Sequence, residues 1–141
     1  MISVNFYKTN DINTCKLKFV VIVANYNDKW ILVRHKDRQT WEIPGGHIEK
    51  FEKVKDTAYR ELFEETGAEE IELKPINIYS VKRDQKSESF GQLYYAKVIK
   101  IEDIPDFSEI AEIKLINNLP KNLTYPYIQP KLYQKVLNEI G

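Results

Sequence analysis

Three glutamates stand close together in the stretch RELFEETGA, residues 60–68: Glu61, Glu64 and Glu65 are spaced i, i+3 and i+4. On a helix that spacing sets like charges side by side, at a cost of roughly 0.2–0.5 kcal/mol per pair. Gly67 is a natural helix stop, so the same charges crowd the end whose dipole is already negative. At about 100° per residue, Glu61 and Glu65 fall almost in line with Val54 and Ala58, with Glu64 at the border of that side. A charge run is ordinarily a solvated helix face. Here the spacing aims the acids at the protein, where carboxylates need compensation. Three hard oxygen donors on one patch suit a divalent cation of the Mg²⁺ type. Arg60, beside Glu61, can fix a carboxylate's orientation through bidentate hydrogen bonds.

Such a helix has to be held against a sheet. KLKFVVIVAN and KWILVRH are apolar, β-branched runs separated by YND, which predicts a hairpin between Lys16 and His35. RQTWEIPGGH reads as a short strand end broken by Pro44 and the glycine pair. From about Lys53 to Thr66 the pattern is helical, with Val54, Ala58 and Leu62 recurring every fourth residue and Gly67 closing the helix. IELKPINIYSVKRD and ESFGQLYYAKVIKIE read as two long strands and EIAEIKLI as a short one. YIQPKLYQKVLNEI puts Ile128, Leu132, Val136 and Ile140 on one stripe, predicting a packing helix. With no repeat or linker, a sheet with one helix in the middle and one at the end predicts a single α/β sandwich domain over residues 1–141.

Composition narrows the partners. Twenty-one basic residues balance 21 acidic ones, which gives no reason to expect tight nonspecific binding to nucleic acid or to an anionic membrane, though a local basic site stays open. Cys15 is the only cysteine, which excludes an intrachain disulfide and a cysteine-rich zinc site and suits a reducing compartment. MISVNFYKTNDINTCK has no signal-type apolar core, and no apolar run approaches the ~18–20 residues of a membrane span. The expectation is a soluble cytoplasmic protein; oligomeric state is not legible.

Gly46, Glu52 seven-residue-spaced from Arg60, and then RELFEETGA resemble the Nudix box, G-x5-E-x7-R-E-U-x-E-E-x-G-U, with U a bulky aliphatic residue. Seven identities at fixed spacing arise by chance on the order of 10⁻⁶ or less. Ala68 departs from the pattern at the last U position, and Phe51 replaces a residue that is often small. WEIPGG and the strand-helix tail are also similar to the family. The resemblance implies an α/β/α sandwich with a mixed sheet between helices and the box as loop-helix-loop. It implies MutT-like hydrolysis of a nucleoside di- or triphosphate derivative by water, assisted by Mg²⁺ or Mn²⁺. Glu61 and Glu65 would then be direct metal ligands, Glu64 a further ligand or the general base, and Arg60 the residue that orients the cluster. Gly46 would offer its carbonyl to the metal. Glu52 either joins the metal or pairs with Arg60.

Family members often recruit another acid from a later strand. Glu109 is favoured over Glu112, and both also read as ordinary strand residues. His35 and His47 read as plain polar residues without a matched ligand set. Arg34, with Lys36 and Arg38, could receive phosphate or form a solvated basic turn. Trp41 and Tyr125 could stack on a base or pack in the core. VKRDQKSE, after the box, matches neither the ADP-ribose nor the diadenosine polyphosphate subgroup, and the NADH-type and coenzyme-A-type signatures are also missing. The resemblance then points to nucleoside triphosphate pyrophosphohydrolases, including those that remove oxidised dGTP. RNA 5′-pyrophosphohydrolysis and a non-catalytic nucleotide-binding regulatory module are the alternatives.

Overall fold

The run Val20–Ala24 is apolar at every position because both faces of its strand are covered: Val20, Ile22 and Ala24 pack to one side, Val21 and Val23 to the other. The computed structural model describes residues 1–141. Its elements are β1 (Ile2–Tyr7), β2 (Leu17–Tyr26), β3 (Lys29–His35), β4 (Gly45–His47), α1 (Val54–Thr66), β5 (Ala68–Arg83), β6 (Ser89–Ile101), β7 (Ile110–Ile116) and α2 (Gln129–Ile140). The strands form one sheet in the order β1-β5-β6-β2-β3-β7, with β4 paired to β2. β2 and β6 run parallel and every other pairing is antiparallel. This mixed sheet lies between two helices, as expected.

α1 covers one face through Ala58 and Leu62, both fully buried against Val20, Ile22 and Ala96, with Val54 partly buried at its start. Truncating a side chain as buried as Leu62 to alanine costs about 2–5 kcal/mol. α2 covers the other face through Leu132 and Val136, against Val21, Leu32 and Tyr79. Gly67 ends α1 in the left-handed region at φ 79° and returns its N–H to the Phe63 carbonyl at 2.8 Å. A Cβ there would lie 2.2 Å from the Glu102 carbonyl oxygen, so only glycine fits.

Three details differ from the sequence reading. Ile2–Tyr7 is a strand at the sheet edge, paired along its length with β5. The glycine pair does not break a strand: Gly45 and Gly46 form β4 opposite Val21 and Val20. The α2 stripe holds for Ile128, which caps the helix and packs with Leu132 and Val136, and fails at Ile140, the last helical residue, 37% exposed.

β2 and β3 pair only beside their turn, at Asn25 with Trp30 and Tyr26 with Lys29. The turn residues Asn27 and Asp28 both have positive φ, which matches the twist of a tight hairpin. Beyond it the strands part and the Glu42–His47 segment enters between them, β4 lying against β2 and Glu42 pairing with Val33, while β7 runs along the other edge of β3. This split in the sheet is where the site forms.

Candidate active site

The split opens into a cleft of about 770 Å³. Glu61, Glu65, Gly45 and Gly46 line it at the α1 side, Phe19 and Tyr79 along the sheet, and Tyr125 and Gln129 from the segment leading into α2. An adjoining hollow of about 260 Å³ is bounded by Arg60, Glu61, Glu64, Glu65 and Glu109.

The carboxylates are turned inward, as their helical spacing implied. Glu65 is 7% exposed and accepts a hydrogen bond from the Gly45 N–H at 2.9 Å. Burial pushes its pKa up to about 8, against the pull of that amide, with Glu61, Glu42 and Glu64 adding repulsion. Glu61 is raised for the same first reason, burial, opposed by Arg60. Gly46 is required by Glu61 directly: a Cβ on Gly46 would fall 2.3 Å from the Glu61 carboxylate carbon. Gly45 is required by the sheet, because its Cβ would fall 2.3 Å from the Val20 carbonyl oxygen.

Arg60 organises the acids. Its Nε and Nη2 donate to the two oxygens of Glu52 at 2.7 and 3.0 Å, a bidentate pair. Nη1 reaches Glu61 at 2.6 Å and Glu64 at 3.2 Å, and Nη2 also reaches the His47 carbonyl at 3.1 Å. The guanidinium thereby fastens α1 to β4. Glu52 also accepts from the Thr57 hydroxyl at 2.6 Å, and the Arg60 hydrogen bonds above all hold its pKa down to about 2. Of the two roles open to Glu52, the pairing with Arg60 is the one present.

The other candidates divide. Glu109 borders both the cleft and the hollow, whereas Glu112 lies on the exposed strand surface and accepts from Arg34 Nε at 3.0 Å. Arg34 is spent on that contact and on the Arg38 carbonyl, and it lines neither space. Trp41 is core, packed in the α2-side cluster under Lys114, so it has no face for a base. Tyr125 borders the cleft, half-exposed. His47 lies edge-on to Phe19 at the cleft wall.

Sequence reasoning read His35 as a plain polar residue and missed Glu42 and Gln129. His35 Nε2 lies 2.5 Å from Glu42 and 3.7 Å from Glu65, and Arg38 donates to both Glu42 oxygens at 3.1 Å. Glu42 is buried, and burial raises its pKa against the pull of His35 and Arg38. Its signal was a lone acid between Trp41 and Ile43. Gln129 accepts from the Ile43 N–H at 2.8 Å, which leaves its amide NH₂ to donate to a ligand. No pattern in the helix marks that residue.

The family model for the NUDIX domain matches residues 16–129. The chain belongs to the NUDIX family. The Nudix chain is 36% identical over 107 residues to the putative 8-oxo-dGTP diphosphatase YtkD of Bacillus subtilis (strain 168), covering 76% of this chain and 66% of that protein. It is 27% identical over 139 residues to an RNA pyrophosphohydrolase of Sulfurovum sp. (strain NBC37-1), covering 84% and 87%. Among solved structures it is similar to the Bacillus subtilis pyrophosphohydrolase BsRppH, at 26% identity and a TM-score of 0.79, covering 98% and 90%. The matched stretch spans just under two thirds of the length of the YtkD relative.

Nudix hydrolases generally use divalent metal ions. The residues here fit one by chemistry: carboxylate oxygens of buried Glu65 and half-buried Glu61, Glu64 beside them, and the Gly46 backbone open to close approach. In this arrangement no three acidic or imidazole side chains converge on one point, and Arg60 supplies the counter-charge between Glu61 and Glu64. No helix is long and apolar enough to cross a membrane.

Proposed function

We propose that this chain is one catalytic domain that hydrolyses a phosphoanhydride bond of a nucleoside triphosphate, with Mg²⁺ or Mn²⁺ held by Glu61, Glu64 and Glu65 and the Gly46 carbonyl. The observation that carries the reading is the pair of inward-turned carboxylates at the mouth of a nucleotide-sized cleft: Glu65, buried with no arginine or lysine partner, and Glu61, half-buried beside it and held by Arg60. The metal would neutralise phosphate oxygens and acidify water. Glu64, the least buried of the three, is either the third ligand or the base that takes a proton from attacking water, while Arg60 holds Glu61 and Glu64 in register. Glu109 borders the same hollow from just before β7 and is the further acid of the site.

The nucleoside lies against Phe19, which covers the buried Tyr79, with Tyr125 on the cleft border and the Gln129 amide available to a base-edge acceptor. The relative's name, 8-oxo-dGTP diphosphatase, supports an oxidised purine triphosphate as substrate. The exposed single thiol of Cys15 suits a cytoplasmic setting. A non-catalytic module has no use for buried, mutually repelling acids. Hydrolysis of dGTP, 8-oxo-dGTP, sugar nucleotides, dinucleotide polyphosphates and 5′-triphosphate RNA, with Mg²⁺ and Mn²⁺, tests the reading. Metal-dependent release of pyrophosphate or phosphate from the triphosphates is expected, and no turnover of any of them by the metal-loaded protein would overturn it.

A further inference from the structure

The cleft does not end at the nucleoside. Tyr79, Val81 and Arg83 alternate onto the same face of β5. Tyr79 stands opposite Gly91, Gly91 opposite Phe19, and Phe19 opposite His47. Three strand spacings thus separate Tyr79 from the glycine strand, and four residues of rise carry β5 on from Tyr79 to Arg83. The floor therefore runs diagonally for roughly 20 Å from the glutamate end to Arg83. Lys86, Ser87 and Ser89 complete that far end.

Two cations, Arg83 and Lys86, line the far end. Two acids sit in the same hairpin tip and are turned to other contacts, Glu88 keeping its charge because its partners are neutral hydroxyls. Asp84 pairs with the Met1 amino group, and its N–H donates to the Met1 carbonyl at 2.8 Å. Glu88 accepts from the Tyr7 hydroxyl at 2.7 Å and from Ser80. Neither Arg83 nor Lys86 has an acidic partner. The contacts from β1 fix both sides of the tip, so the cations are presented by an ordered turn in which the Lys86 N–H returns to the Arg83 carbonyl at 3.0 Å.

A nucleoside triphosphate carries all its phosphates on one side of the sugar. With those at the glutamates and the nucleoside against Phe19, nothing anionic remains for Arg83 and Lys86. A base edge is neutral and calls for one fixed fork or amide, a role Gln129 can fill within the apolar stretch. Two cations with two serine hydroxyls beside them match a phosphate instead. We infer that Arg83 and Lys86, with Ser87 and Ser89, form a second phosphate subsite, for a phosphate on the 3′ side of a nucleotide whose 5′-polyphosphate lies at the glutamates. That chemistry occurs in a nucleoside 3′,5′-bisphosphate derivative and at the 5′ end of an oligonucleotide. The inference rests on the reading above for the placement of the 5′-polyphosphate.

Calorimetric titration with adenosine 3′,5′-bisphosphate and with adenosine 5′-monophosphate, in Mg²⁺, measures the subsite without turnover. The wild type should bind the bisphosphate at least tenfold more tightly, and the double variant Arg83→Gln/Lys86→Gln should lose most of that preference. In hydrolysis, the ratio of kcat/KM for a 5′-triphosphorylated dinucleotide to that for ATP should fall by about tenfold in the variant. Adenosine 5′-triphosphate 3′-phosphate in place of the dinucleotide separates the two sources: equal use of both means that the phosphate is read, and preference for the dinucleotide means that the chain beyond it is read too. Equal binding of bisphosphate and monophosphate by the wild type overturns the inference. So does a variant that loses guanine-over-adenine discrimination while keeping the phosphate preference. A wild type that prefers the bisphosphate yet hydrolyses nothing would sink the hydrolase reading and leave the subsite standing.

Discussion

Gly45 and Gly46 are adjacent, and they are glycines for different reasons. A methyl group on Gly45 meets the Val20 backbone, which cannot move without breaking the β2–β4 pairing. A methyl group on Gly46 meets the end of the Glu61 side chain, which can swing away. Gly45→Ala should therefore cost stability, on the order of 2 kcal/mol or more, while Gly46→Ala should melt close to the wild type and lose most of its turnover. Thermal melts paired with hydrolysis rates check this, and the opposite assignment of the two losses would show that Glu61 is not held where the chemistry needs it. Phe51 is a second residue-scale test. It is 96% exposed with φ 67°, a left-handed conformation that costs a bulky residue about 1–2 kcal/mol. Glycine there relieves that strain and gives up only the Lys50 contact over the ring, so Phe51→Gly should raise stability by about 0.5–1 kcal/mol after the entropy cost of glycine. Nothing in the structure explains why phenylalanine stands there.

At the scale of elements, α1 was legible from its own residues. Its four-residue apolar recurrence, its glycine stop and the inward turn of Glu61 and Glu65 all follow from helical geometry, and each is local. β1 went unread although Ile2, Val4 and Phe6 alternate with Ser3 and Asn5 and turn to the core, because the run is a short edge strand whose only partner, β5, lies some seventy residues away in the chain. β4 was hidden by the glycines that normally weaken strands; here they are required by close approach of Val20 and Glu61. The same distinction separates the site candidates. Glu61, Glu64, Glu65 and Arg60 share one helix and could be placed together, whereas the His35–Glu42 contact and the Gln129 bond to Ile43 join separate elements and leave no periodic trace. Arg34 and Trp41 have the right chemistry for a ligand and the wrong neighbours. One expectation follows for the helix as a unit. Glu52 and Arg60 tie its start to β4, so Glu52→Ala should leave Arg60 with an excess of donors in a partly buried place and cost about 1–3 kcal/mol. A melt unchanged by Glu52→Ala would mean that the pair is surface decoration.

For the whole molecule, the decisive feature is that the sheet parts between β2 and β3 and lets acids from the α1 side reach a cleft on the α2 side. The fold keeps those acids at a cost that depends on pH. Glu65 titrates at about 8 in the folded protein and near 4.3 when unfolded, so between those values the folded state holds the extra proton. Stability without metal therefore falls as pH rises from about 4.5 to about 8, and the contribution present at low pH is gone above that range. Glu65→Gln removes this slope. The variant should match the wild type near pH 4.5 and exceed it at pH 8 by about 1–3 kcal/mol, a few degrees in melting temperature for a chain of this size.

The most direct test of the glutamate cluster as a functional burden combines that variant with the metal. Wild type and Glu65→Gln are melted at pH 8 with a chelator and with excess Mg²⁺, and their nucleotide hydrolysis rates are measured in the same Mg²⁺ buffer. The wild type should melt below the variant in chelator and gain several degrees from Mg²⁺ through binding to the native state, while the variant gains little and hydrolyses at least a hundredfold more slowly. A variant that melts below the wild type in chelator and retains turnover in Mg²⁺ would make Glu65 a structural anchor and contradict the reading of these carboxylates as the metal and phosphate site.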